Sequence, residues 1–144
     1  MKKAILVFVF SLLCLPFASL QASTVQDLTW TQLQAQMRSN PKQNVLIEFY
    51  SSKADALDCD KCTQQSAVFT EVAKSHGTDV SFVRIDVANA PFLIENGTVR
   101  IYPTHMFVRH SVPQGQEMVA RTVLGFLSAK QFEELIQEFF EVTP

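Results

Sequence analysis

Glycine, proline and charged side chains are all scarce in this sequence. Its 144 residues include four glycines, six prolines and one tryptophan, and only 18% of them are charged. So little glycine and proline excludes a collagen-like or low-complexity chain. The charges are scattered and the formal net charge is −2, which argues against a disordered tail and against nucleic acid as a partner. With 47% hydrophobic residues, this length predicts one globular domain with its own core.

The N-terminus differs in character from the rest of the chain. Two lysines precede a nearly unbroken apolar run from Ala4 to Phe17, and a short stretch of small and polar residues ends at Ala22. This is the pattern of a secretory signal peptide that is cleaved after Ala22. An uncleaved membrane anchor is the alternative, but the run is short for a span of ~20 residues. The sequence therefore predicts a signal peptide over 1–22, a mature domain over 23–144 and a periplasmic location.

The chain has only three cysteines, and Cys14 lies inside the predicted signal peptide. The mature domain keeps Cys59 and Cys62, which are separated by two residues. In an oxidising compartment such a pair can form a disulfide. Because that bridge closes a very small loop, it would stabilise the fold only slightly. The spacing therefore indicates redox chemistry or metal binding.

Predicted helices and strands alternate along the mature chain. Thr29 and Gln32 form a capping box at the start of a first helix, and later apolar runs predict buried strands. The predicted strands cover 45–50, 80–87, 101–108 and 118–123, with a polar loop over 51–58, further helices after Cys62, around 92–95 and after Ser128, and a turn over 112–116. This order predicts a layered α/β domain with parallel strand pairs, closed by an antiparallel hairpin.

Four segments, spread over about residues 28–140, resemble landmarks of the thioredoxin family in the family's order. They are the strand that carries Glu48, the Cys59-Asp60-Lys61-Cys62 motif, the segment Tyr102-Pro103-Thr104, and the segment around Gly125 before the last helix. The resemblance implies a thioredoxin-like fold, in which helices flank a central mixed sheet of about four to five strands. It also implies a thiol–disulfide oxidoreductase that acts on protein substrates without a cofactor or a metal.

The resemblance assigns roles to three side chains, and physical arguments agree with them. A cysteine at a helix start meets unpaired N–H groups, which favour its thiolate. Cys59 is therefore the expected nucleophile, and Cys62, on the same face of the helix, is the resolving thiol. Glu48, if it is buried beneath the pair, would have a raised pKa and could accept the proton of Cys62. A solvent-facing acid on an edge strand is the alternative for Glu48.

The segment before the third predicted strand is expected to bind the substrate. The family's proline at the position of Pro103 is cis, and its neighbour pairs with an extended substrate segment. The resemblance thus implies that Tyr102, Pro103 and Thr104 form a substrate-binding segment. A trans proline that begins an edge strand is the alternative.

Several positions depart from the family's pattern. The loop before the first cysteine is longer, and Phe82 is expected where thioredoxin has a lysine near its buried acid. Asp58 and Asp60 disfavour a thiolate at Cys59, whereas Lys61 favours it. We therefore expect a monomeric reductase rather than an oxidase, with protein thiols and disulfides as substrates and an electron-exchange partner in the membrane or the periplasm.

Two other functions stay open at the level of the sequence. Cys59, Cys62 and His105 could form the copper or zinc site of a metal chaperone. The domain could also be a non-catalytic adaptor that binds a partner through the loop over 51–58. A second histidine, His76, is expected to contact backbone carbonyls at the end of its helix.

Overall fold

The structure is a computed structural model that describes residues 24–53, 60–110 and 118–141. The predicted signal peptide, Cys59 (the expected nucleophile) and the turn predicted over 112–116 lie outside the described residues. In the part of the chain that is described, no helix combines the length and the apolar character needed to cross a membrane.

Strands and helices alternate in the predicted order. The elements are β1 (Gln26–Asp27), α1 (Trp30–Ser39), β2 (Asn44–Tyr50), α2 (Asp60–Ser75), β3 (Val80–Asp86), a 3-10 turn (Val87–Asn89), α3 (Phe92–Glu95), β4 (Thr104–His110), β5 (Met118–Leu124) and α4 (Ala129–Phe140). The two-residue β1 was not predicted, because so short a strand leaves no periodic pattern. β4 begins at Thr104 rather than 101, since the three preceding residues form bends and Pro103 has no N–H for a ladder.

The strands form one five-stranded sheet in the order β1-β3-β2-β4-β5. β3 pairs in parallel with both β1 and β2, whereas β4 pairs antiparallel with β2 and β5. The predicted mixed sheet with its closing hairpin is therefore confirmed. β2 lies at the centre and is covered on both faces, which explains its almost continuous apolar run.

Alternate residues of the central strands enter two separate cores. Leu46 of β2 packs with Phe82 and Phe107 against α2 and α4, and we call this cluster the α2–α4 core. Val45, Ile47 and Phe49 point to the other face, where they pack with α1. Because side chains alternate along a strand, Glu48 faces the same side as Leu46 and lies beneath α2.

The helix starts follow the sequence closely. In α1, Thr29 and Gln32 form the predicted capping box, and Ser128 and Gln131 form a second one in α4. The predicted contact of His76 is wrong. Its Nε2 lies 2.7 Å from Oε2 of Glu133, because the buried ring turns towards α4 rather than towards the carbonyls of its own helix.

Candidate redox site

Glu48 lies on the central strand with 1% of its surface exposed. Desolvation by this burial raises the pKa of Glu48 to about 7. The positive charge of Arg84 and a hydrogen bond from Ser66 lower the pKa, but by less than burial raises it. The expectation of burial is therefore met, and the solvent-facing alternative is not. A carboxyl group in this state exchanges its proton near neutral pH.

The cation beside Glu48 is Arg84, which stands directly opposite it on β3. Arg84 Nε lies 3.3 Å from Glu48 Oε2, an ion-pair distance without the alignment of a hydrogen bond. The guanidinium group also stacks over the ring of Tyr50, 4.4 Å from its centroid, and lies 3.8 Å from Asp27 Oδ1.

The expectation that placed Phe82 near the buried acid is wrong, since Phe82 pairs with Leu46. The alternation of β3 could have identified Arg84, which is two residues further along the same face.

Helix α2 carries Cys62 in its first turn, where the side chain is half-buried and disulfide-bonded. One turn further along, Ser66 Oγ lies 3.4 Å from Glu48 Oε1. The helix therefore brings Cys62, the expected resolving thiol, and the buried acid to the same side of the sheet. The pairing of Cys62 with Cys59 stays a prediction, because Cys59 lies outside the described residues.

The segment before β4 has the conformation that the family resemblance implies. The peptide bond between Tyr102 and Pro103 is cis. The buried Thr104 donates its hydroxyl proton to the Ile101 carbonyl at 2.6 Å, which closes the turn around the proline. On the neighbouring segment the N–H of Gly125 donates to the Pro103 carbonyl at 2.9 Å. Gly125 has a φ of +88°, a conformation that favours glycine.

Gln65 was not identified from the sequence, yet it connects α2 to the segment before α4. Its fully buried amide accepts from the Leu127 N–H at 2.6 Å and donates to the Leu127 carbonyl at 3.0 Å. Leu127 follows Gly125 by two residues, so the bonds of Gln65 and Gly125 join α2 to the Pro103 segment. A single polar residue in a helix pattern gives no signal for such a contact.

His105 is enclosed in the α2–α4 core. Its ring stacks on Phe69 at 6.2 Å between centroids and meets Phe132 edge to face at 4.9 Å. Burial lowers the pKa of His105 to about 3, and neither ring nitrogen has a hydrogen-bond partner among the described residues. Those residues contain no group of three or more His, Cys, Asp or Glu that could hold a metal ion. The trio of His105 with Cys59 and Cys62 stays untested, since Cys59 is not described.

Large apolar side chains are exposed on both sides of the proline segment. Ile101 is 47% exposed, two residues before Pro103. Leu124 and Phe126, on either side of Gly125, are 52% and 37% exposed. Because the Gly125 N–H bonds to the Pro103 carbonyl, the two backbone segments that carry these side chains lie next to each other.

Sheet order, buried acid and proline segment together define a domain of the thioredoxin-fold oxidoreductase class. The family model described as Thioredoxin matches residues 24–138. The chain belongs to the thioredoxin family, whose members are generally disulfide oxidoreductases that act on protein disulfides.

Solved structures share this fold at low sequence identity. Chloroplastic thioredoxin z aligns with a TM-score of 0.66 and 22% identity, over 82% of this chain and 95% of that one. A thioredoxin from Schistosoma mansoni aligns with a TM-score of 0.61 and 20% identity, over 83% and 98%. The Trx4 domain of ERdj5 aligns with a TM-score of 0.63 and 18% identity, over 84% and 97%. No curated protein matches the sequence.

Proposed function

We propose that this protein is an exported thiol–disulfide oxidoreductase that reduces protein disulfides through Cys59 and Cys62. The observation that carries the proposal is the position of Glu48 beneath α2, where it contacts Ser66, one helical turn after Cys62. With a pKa of about 7, its carboxyl group can take up and return a proton at neutral pH.

The proposed reaction begins at Cys59, whose thiolate attacks one sulfur of a substrate disulfide. The substrate's other sulfur leaves as a thiolate, and a mixed disulfide with Cys59 remains. Cys62 then loses its proton to Glu48 and attacks the Cys59 sulfur, which releases the second substrate thiolate. The substrate gains two electrons and the cysteine pair is oxidised. An electron-exchange partner in the membrane or the periplasm must return two electrons for the next cycle.

Arg84 helps to set the pH range in which Glu48 can accept a proton. Desolvation alone would favour a carboxyl group that stays protonated, and the adjacent guanidinium opposes this by stabilising the carboxylate. The pair therefore keeps Glu48 able to accept a proton without leaving it permanently ionised.

The surface around Pro103 suits a polypeptide substrate. Exposed Ile101, Leu124 and Phe126 offer apolar contacts beside the expected substrate segment, Tyr102, Pro103 and Thr104. An extended peptide can add backbone hydrogen bonds to such contacts. Small thiols would use little of this surface, so we expect proteins to be the preferred substrates.

The insulin-reduction assay tests the proposal directly. Residues 23–144 should accelerate the reduction of insulin by dithiothreitol, and Cys59→Ser should abolish the acceleration. Gln64→Ala, an exposed position on the same helix, is the matched control and should keep full activity. A wild-type domain that does not exceed dithiothreitol alone would contradict the reductase proposal.

The location is tested separately on the full chain. Expression in a Gram-negative host should yield a periplasmic protein whose N-terminal residue is Ser23. Retention of residues 1–22 or recovery from the cytoplasm would contradict the proposed export.

A further inference from the structure

We propose that the Ser66 hydroxyl relays the proton between Cys62 and Glu48. This inference rests on the proposed function and deepens it, because it supplies the group that joins the acid–base residue to the resolving thiol. Ser66 Oγ lies 3.4 Å from Glu48 Oε1, and Ser66 follows Cys62 by one helical turn.

Among the described residues, few groups near Glu48 offer a route for its proton. Arg84 faces it from β3, but a guanidinium group only donates and keeps its charge. His105 faces it from β4, yet neither ring nitrogen is hydrogen-bonded among the described residues. Asp27, on β1, lies beyond Arg84, and Tyr50 stacks on that same guanidinium group. Of these groups, only the α2 hydroxyl both contacts Glu48 and can accept one proton while donating another.

The position of Ser66 on α2 fits this task. Residues four apart on a helix lie on one face, so Ser66 and Cys62 are neighbours along the side that covers Glu48. The Ser66 carbonyl accepts a hydrogen bond from Thr70, whereas the Ser66 hydroxyl is directed at the carboxyl group. Ser66 and Cys62 are both half-buried, whereas Glu48 is fully buried, so the hydroxyl joins the buried acid to a partly accessible face of the helix.

The relay balances atoms and electrons in the resolving step. The S–H bond of Cys62 breaks and its proton passes to Ser66 Oγ, while the proton of Ser66 passes to Glu48 Oε1. The electron pair left on the Cys62 sulfur forms the new disulfide bond with Cys59. The sulfur–sulfur bond between Cys59 and the substrate breaks, and the substrate sulfur leaves as a thiolate with the electron pair of the broken bond. The substrate disulfide is the oxidant.

Ellman's reagent separates the two chemical steps in the reduced protein. Attack by the first cysteine releases one thionitrobenzoate, and resolution by the second cysteine releases another. Ser66→Ala should leave the first release unchanged and slow the second about tenfold at pH 7.5, a loss in keeping with general acid–base catalysis. Ser66→Thr, which keeps a hydroxyl, should stay within about twofold of the wild type, on the same grounds. Ser75→Ala, the same change at the other end of α2, is the control and should have no effect.

The pH–rate profile of the second release distinguishes loss of the relay from a merely structural effect of Ser66→Ala. Loss of its hydrogen bond to Glu48 would by itself only move the midpoint of the pH–rate profile upwards, because that bond lowers the pKa of Glu48. The relay predicts instead that Ser66→Ala lowers the plateau rate of the second release. Added imidazole should restore this plateau in Ser66→Ala and should not raise it in the wild type. A full plateau with a shifted midpoint would overturn the relay.

A measurement on the unaltered protein keeps the test independent of folding in the variants. In mixtures of H₂O and D₂O, the rate of the second release should depend on the deuterium fraction along a curve, since two protons move together. A linear dependence would contradict the relay. Failure of the wild type in the insulin assay would overturn the proposed function, whereas an active wild type with normal resolution in Ser66→Ala would overturn the relay alone.

Discussion

Glu48 and His105 stand directly opposite each other on the antiparallel strands β2 and β4, and burial displaces their pKa values in opposite directions. The pKa of Glu48 rises to about 7 and that of His105 falls to about 3. In the acidic range between these values both side chains are neutral. The folded state therefore avoids a buried charge at either position, which would be costly.

Glu48 should make the domain less stable as the pH rises. Its pKa is about 7 in the folded state and 4.5 as a free group, so the folded protein binds the proton more tightly. The stabilisation of the folded state by this tighter proton binding is complete below pH 4.5 and is lost as the pH rises through 7. Its upper limit is about 3 kcal/mol in the free energy of unfolding. Urea unfolding of wild type and Glu48→Gln between pH 4 and 8 measures it. The difference in stability should shift in favour of Glu48→Gln as the pH rises, and a constant difference would contradict the raised pKa.

His105 should act in the opposite sense at acidic pH. Its pKa is about 3 in the folded state and 6.5 as a free group, so the unfolded chain takes up the proton first. The stabilisation that the neutral His105 ring gives the folded state is complete above pH 6.5 and is lost as the pH falls towards 3. The loss in the free energy of unfolding is at most about 5 kcal/mol. His105→Leu should unfold at a lower pH than the wild type. Equal acid-unfolding midpoints would show that the ring does not remain neutral in the core.

Glu48→Gln should slow resolution of the mixed disulfide without unfolding the domain. The amide cannot accept a proton, whereas loss of a buried ionisable group keeps or raises stability above pH 7. We expect a loss of about tenfold or more near neutral pH, in the range of general acid–base catalysis. The second thionitrobenzoate release, measured from pH 6 to 9, tests this. An unchanged profile would remove Glu48 from the mechanism.

Gln65→Leu should destabilise the domain far more than the same change at Gln64. The Gln65 amide satisfies the N–H and the carbonyl of Leu127 inside the protein, and leucine satisfies neither. Two unpaired buried groups cost about 2–4 kcal/mol together. Gln64→Leu, at an exposed position, should change the free energy of unfolding by less than about 0.5 kcal/mol. Similar values for the two variants would show that the paired bonds contribute little.

The two cysteines should differ in reactivity. Iodoacetamide should label Cys59 before Cys62 in the reduced protein at neutral pH, since a cysteine at a helix start is the better nucleophile. Cys62→Ser should accumulate mixed disulfides with substrate proteins, because the resolving thiol is missing, and Cys59→Ser should not. Mass spectrometry of the alkylated peptides and non-reducing gels measure both effects. Preferential labelling of Cys62 would reverse the assignment.

The sequence was sufficient for the fold because its signals are local and mutually consistent. The capping box at Thr29, the apolar run around Glu48 and the stripe of α4 each specify one element, and their order restricts the topology. The contacts made by Arg84, Gln65 and His76 could not be predicted as readily. Each depends on strand register or helix packing, and so on partners far away in the chain. A single polar residue within an apolar pattern does not indicate which partner it will meet.

The central position of β2 has a consequence for when reactivity can appear. Arg84 and His105 reach Glu48 only through pairing of β2 with β3 and β4, strands that are distant in sequence from one another. Such long-range pairing requires closure of large loops and completes late in folding. In an unfolded chain Glu48 is an ordinary acid, and Cys62 has neither a helix nor a buried base beside it. The proposed thiol chemistry would therefore switch on with folding itself, and an unfolded chain would carry only unactivated cysteines.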